Sequence, residues 1–260
     1  MKKTLISLAV AASAVVSGSA MAWQANGRGG TVELSGTLTP VDLKTPWEVK
    51  MGTAVSGLDA QIKKGHKEVV IPVNHPIPVL AIRTQTKEPF HGDVGIAPRI
   101  DFHGHVDFEH FIAGFTTLSL DVKNKAGAKI GTMTTKFLAG GEASTKNSER
   151  VRHNFIISQK PGQAFYGGIT TSVDPYQVDG ILSGVKSIFG SELTANYTDQ
   201  GGSGHLADTE PFNDEQAVYS AYYGGGIAAG QSIKLALDRE AAGDEPIKWH
   251  ASLPVTVSYQ

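Results

Sequence analysis

The last twelve residues alternate almost without fault. Trp249, Ala251, Leu253, Val255, Val257 and Tyr259 fall on one face. His250, Ser252, Thr256 and Ser258 fall on the other, with Pro254 among them. A period of two predicts a half-buried β-strand. A second such run lies near the other end of the chain. There Val32, Leu34, Gly36 and Leu38 share one face, and Thr31, Glu33, Ser35, Thr37 and Thr39 share the other. The Gly-rich tether Asn26-Gly-Arg-Gly-Gly30 precedes it. A regular strand on a loose leash suits pairing outside its own domain, as in β-strand addition.

Between these ends, short strand patterns recur at residues 47–51, 68–73, 79–84, 115–122, 129–137, 151–157, 164–172, 192–198, 218–222 and 232–238. In the first of them Trp47, Val49 and Met51 share a face. Residues 123–127 read as a Gly-containing hairpin loop. Many short strands between Gly and Pro turns predict an all-β sandwich. One segment departs from this. Val178, Ile181, Leu182, Val185, Ile188 and Phe189 recur at helical spacing. Asp174-Pro-Tyr is a plausible helix start and Gly190 a stop. This predicts one helix packed on the sandwich, or an inserted region spanning about 140–210. Residues 199–214, polar and Gly-rich, read as a loop.

Residues 1–22 have the form of a secretory signal peptide. Lys2 and Lys3 open it, an apolar stretch over 5–16 follows, and Ala20-Met-Ala22 is the cleavage signature. The mature chain is expected to start at Trp23. Removing the two leader lysines takes the formal charge from −2 to −4, which gives no basic footprint for nucleic acid. The chain contains no cysteine. Thiolate nucleophiles and Cys-ligated zinc are therefore excluded.

Candidate chemistry is sparse. Asp101-Phe-His-Gly-His-Val-Asp-Phe-Glu-His110 could place His103 and His105 on one strand face with Asp101, Asp107 and Glu109, where they could hold zinc or copper. A solvated strand face backed by Phe102, Val106 and Phe108 explains the same pattern, and no metal site is assigned. The glycines of Tyr223-Gly-Gly-Gly-Ile-Ala-Ala-Gly230 lack the G-x-G-x-x-G spacing. Gly-Ser-Gly-His205 reads as loop. No hydrolase elbow, Walker loop or H-E-x-x-H is present, so no catalytic residue and no cofactor are expected. Lys146, Arg150, Arg152 and His153 form a small basic cluster that could meet an acidic glycan or a neighbouring subunit. Tyr166, Tyr176, Tyr197, Phe212, Tyr222 and Tyr223 are the aromatics that could stack on sugars.

Several segments together resemble the FaeG-type fimbrial subunits of chaperone–usher fimbriae. They are the start at Trp23, GTVELSGTLT (30–39), WEVKMGTAVSG (47–57), AFYGGITTSV (164–173), SAYYGGGIAAGQSI (220–233) and KWHASLPVTVSYQ (248–260). The resemblance implies an incomplete immunoglobulin-like sandwich completed by donor-strand exchange. Residues 23–39 would be the donor extension and 40–260 the subunit domain. Val32, Leu34 and Leu38 would fill a neighbour's groove, with Gly36 passing closely over its core. Leu253, Val255, Val257 and Tyr259 would border the chain's own groove and meet the chaperone. Many pilins carry a glycine fourteen residues from the C-terminus, whereas this chain reads Glu245-Pro-Ile-Lys248 there. The implied partners are a periplasmic chaperone, an outer-membrane usher and neighbouring fimbrial subunits, reached by export through the periplasm to the cell-surface fimbrium. The first expectation is a structural or minor subunit. The alternative is a major subunit that also binds host glycans. A secreted enzyme or metal-binding protein is the third reading.

Overall fold

Strand β7 (Lys129–Lys146) is the spine of the molecule. In this computed structural model, which describes residues 33–39, 44–203 and 206–260, β7 has neighbours along both edges. On one side it pairs with β6 (Phe115–Lys123) and β8 (Val151–Ile156). On the other it pairs with β10 (Val218–Ile227) and β11 (Ser232–Leu237). The sheet continues outward from β10 to β3 (Ile77–Thr84) and then β1 (Trp47–Met51), and from β11 to β2 (Glu68–Pro72). Short strand β4 (Phe90–His91) joins β10, and β9 (Leu206–Asp208) runs parallel to β8. A second layer consists of β5 (Pro98–Asp101) and β12 (Thr256–Tyr259). The fold is an all-β sandwich with one short helix.

The chain divides into two compact units, residues 1–43 and 44–260. Within the first unit, residues 33–39 form neither helix nor strand, and Leu34 and Leu38 are 93% and 97% exposed.

The main core lies between the two layers. Trp47, Phe165, Phe212, Tyr219 and Tyr223 meet there, with Phe90 against the first of them. The Trp47 Nε1–H donates to the Ile96 carbonyl at 2.7 Å, which satisfies the indole while burying its rings.

The other face of the sheet carries helix α1 (Val178–Phe189). Asp174 caps a single 3₁₀ turn that leads into it, its side chain accepting from the Tyr176 N–H, and Gly190 ends it at φ 70°. Val178, Ile181, Leu182, Val185 and Ile188 are its buried stripe. Glycines explain how closely it sits. A Cβ on Gly224 of β10 would stand 2.6 Å from Val185, and one on Gly140 of β7 would stand 2.8 Å from Ile181. The Gly-rich run after Tyr223 is thus a flat strand floor beneath the helix.

Two expected strands do not form. Residues 192–198 make turns, because β3 is already paired on both edges and offers no ladder to join. The Asn196 amide instead donates to the carbonyls of Thr84 (2.9 Å) and Gln85 (3.0 Å). Residues 164–172 fold into turns as well. Phe165 and Gly167 take φ values of 61° and 84°, outside the extended region. Residues 140–156, inside the span expected as an insert, are largely strands β7 and β8, so the excursion carrying α1 begins after them. On β1 only Trp47 of its predicted face is buried, while Val49 and Met51 are 41% and 47% exposed.

Candidate functional site

The C-terminal alternation is reproduced residue by residue in burial. Trp249, Ala251, Leu253, Val255, Val257 and Tyr259 are half-buried against the main core, and every residue between them is exposed. Its hydrogen bonding is another matter. His250 exchanges backbone bonds with Lys123, and residues 256–259 pair with β5. Among the described residues, 251–255 have no backbone hydrogen-bond partner. This segment has the side-chain pattern of a strand without the ladder.

It forms one wall of a groove of about 1020 Å³. A second wall is residues 52–62, which leave β1 and likewise make no backbone hydrogen bond between 53 and 62 among the described residues. The floor is apolar and comes from β2, β6, β7 and β11, with Ile71, Leu118, Leu120, Met133, Ile233 and Leu235. Lys64 and Asp244 pair at the rim. Two stretches of backbone without ladder partners among the described residues, bordering an apolar floor, suit one kind of occupant: an extended segment with apolar side chains on one face.

The structure distributes the sequence-predicted residues as follows. Leu253 and Val255 line the groove. Val257 and Tyr259 lie beyond it, in β12 opposite Ile100 and Pro98. Leu34, Gly36 and Leu38 are in the exposed 33–39 segment, and Val32 and His205 lie outside the described residues. The 52–62 wall and the floor were not anticipated. The floor was detectable in principle, since β6 alternates through Leu118, Leu120 and Val122. The wall carries only Leu58 and Ile62 turned partly inward and gives no periodic signal.

The suspected metal residues are scattered. β5 ends at Asp101, whose carboxylate accepts from the His103 N–H at 2.6 Å, and His103 takes φ 53°. That turn breaks the common strand face. The His105 ring meets the Ser119 carbonyl, while the His103 ring meets Thr256. Among the described residues no three His, Asp or Glu side chains gather as metal ligands. Two members of the basic cluster are engaged elsewhere, Arg152 with Asp208 at 3.4 Å and His153 with Glu142 at 2.8 Å. Of the candidate stacking aromatics, Phe212, Tyr222 and Tyr223 are fully buried and Tyr176 is 96% exposed.

One buried polar cluster escaped the sequence reading. Glu142 of β7 accepts from the His153 ring on β8, the Tyr222 hydroxyl on β10 and Lys186 on α1, the last at 3.1 Å. Burial alone would raise this carboxyl. Its three donors outweigh that and hold it at about 2. The cluster ties the helix to the sheet. A folded pKa below the unfolded 4.5 contributes stability that is present above pH 4.5 and lost as pH falls toward 2. Glu142→Gln should therefore cost on the order of 3 kcal/mol at neutral pH. Urea melts of both proteins between pH 7 and 2 test this. The gap between them should close toward pH 2, and a constant gap would refute the assignment.

A family model described as "Fimbrial, major and minor subunit" matches residues 1–260. The chain belongs to the K88 fimbrial subunit family. It is 30% identical to K88 fimbrial protein AB of Escherichia coli, with all of both chains covered. The F41 fimbrial protein and the K88 minor fimbrial subunit FaeI of the same organism are 27% and 25% identical, again over full length. K88-family chains are structural subunits that assemble with one another into cell-surface fimbriae. The groove is to be understood as a feature of such a subunit.

Proposed function

We propose that this subunit polymerises by donor-strand exchange. The groove accepts the N-terminal extension of a neighbouring subunit, and residues 32–38 of this chain fill the groove of the next. One observation carries the reading: the apolar floor is flanked by residues 251–255, which have a strand's side-chain pattern but no ladder partner among the described residues. Residues 33–39 supply the complementary shape, with Leu34 and Leu38 on one face and fully presented. β-strand addition would bury the leucines and pair both open edges at once.

On this reading residues 1–22 are a leader, 23–39 the donor extension and 40–260 the receiving body. An unfilled groove is an aggregation hazard, so a periplasmic chaperone holds it until the outer-membrane usher orders the exchange. The role is that of a structural or minor subunit and not of an enzyme. Three of the six candidate sugar-stacking aromatics are fully buried and two of the four basic-cluster residues, Arg152 and His153, are engaged by Asp208 and Glu142, which supports this over an adhesive role. Exposed Tyr176, with exposed Lys146 and Arg150, favours the major, glycan-binding alternative, and glycan-array binding by the complemented monomer separates the two.

Deleting residues 23–39 tests the exchange. The truncated subunit should accept a donor strand yet donate none, so it should cap a fibre or stay monomeric. Chain growth by the truncated protein alone would overturn the reading.

A further inference from the structure

A second cavity, of about 350 Å³, adjoins the groove. The two share Met51, Gly52, Thr53 and Pro78 in their linings. Its apolar surface comes from Val49, Met51, Ala81, Ile188, Phe189 and Leu193. These belong to both faces of the sheet. Val49 stands opposite Ile82 of the main core, whereas Ala81, Ile188 and Leu193 belong to the helix-side core. The cavity therefore wraps the free edge of β1. Lys50 pairs with Glu192 at 2.8 Å and Arg83 with Glu48 at 2.5 Å around its rim. That leaves an apolar recess with a neutralised border, at the lower end of the volume range of ligand pockets.

The geometry points to one occupant, the indole of Trp23 from the neighbouring subunit that fills the groove. This rests on donor-strand exchange and extends it to a second anchor. Three observations support the choice. The first is direction. Residues 249–255 are the regular edge of the groove, and antiparallel pairing is the more stable kind. The C-terminal end of that edge lies toward β1, because Gln260 bonds Ala97 and the adjacent Ile96 accepts from Trp47. A donor antiparallel to it brings its own N-terminal end to Met51, beside the cavity. The second is reach. Val32 lies nine steps along the chain from Trp23, up to about 30 Å when extended, ample for a neighbouring recess. The third is flexibility. Passing from the groove round the edge of β1 to the helix side needs a sharp change of direction, and Gly27, Gly29 and Gly30 lie in the stretch that must make it.

The cysteine-free chain allows a direct test by disulfide trapping in full-length fibres. Gln24→Cys combined with Glu192→Cys should yield a covalent head-to-tail ladder on non-reducing gels after mild oxidation. Adding Trp23→Ala should reduce the ladder at least tenfold. Gln24→Cys with the remote Tyr176→Cys should give none. Leu34→Cys with Val255→Cys reports the groove separately. A groove ladder without a Glu192 ladder overturns the Trp23 anchor and leaves donor-strand exchange standing. Equal ladders at Glu192 and Tyr176, or a Glu192 ladder indifferent to Trp23→Ala, also overturn the anchor. Assembled fibres with no ladder from either pair overturn both.

Discussion

Leu34→Asp should abolish incorporation into fibres while leaving the body of the subunit folded. Leu34 is 93% exposed in the isolated chain, so the substitution costs the monomer nothing. In the fibre the same side chain would lie on the apolar floor of a neighbour's groove. The exchange then loses the burial of a leucine, roughly 1.5–3 kcal/mol. It also gains a carboxylate that is either ionised without a partner or forced to take up a proton, a further cost of several kcal/mol. Together these amount to at least a thousandfold loss of affinity. Ser35→Asp is the matched control. It adds the same charge one residue along, on the face turned to solvent, and should assemble almost normally. The yield of heat-resistant polymer measures both. Normal polymer from Leu34→Asp would show that the apolar face of residues 33–39 does not enter a groove.

That prediction was legible in the sequence because alternation is a strictly local signal. The C-terminal run gave the burial of every residue from 249 to 260 for the same reason. The helix was legible through its periodicity, its Asp-Pro start and its terminal glycine. What alternation does not report is who pairs with whom. Residues 251–255 and 256–259 have one pattern, yet only the second stretch has a ladder partner in β5. Strand propensity at 192–198 was overridden by topology, since both edges of β3 were already taken. The 52–62 wall was silent because only Leu58 and Ile62 in it are partly buried, too few to set up a period. The Glu142 cluster was invisible for a different reason. Its partners sit on three other elements, and nothing near Glu142 in sequence marks it as buried. The glycines at 140 and 224 carried real information, but it concerned the close approach of α1 and not a ligand.

A copy of residues 30–39 fused after Gln260 should convert an unstable monomer into a stable one. Expressed alone, the unfused chain should aggregate or require its chaperone, because the groove leaves an apolar floor and unpaired backbone exposed to other chains. The fusion supplies the missing strand in cis, and the tether replaces a bimolecular encounter with a high effective concentration. The geometry suits a short return. Gln260 lies at the end of the molecule where an antiparallel donor enters, so the linker has only to turn back toward Val255. The intervening five residues span about 17 Å, which a flexible linker of roughly eight residues covers. Burial of Val32, Leu34 and Leu38 at about 1.5–3 kcal/mol each should raise the melting temperature by on the order of 10–20 °C. The same fusion carrying the Leu34→Asp change in its appended copy should lose most of that gain, which separates strand insertion from a nonspecific effect of a longer tail. Thermal melting of the three proteins decides the matter. An unfused monomer that is as soluble as the fusion and melts as high already has a complete sandwich, and polymerisation through this groove would then have no physical basis.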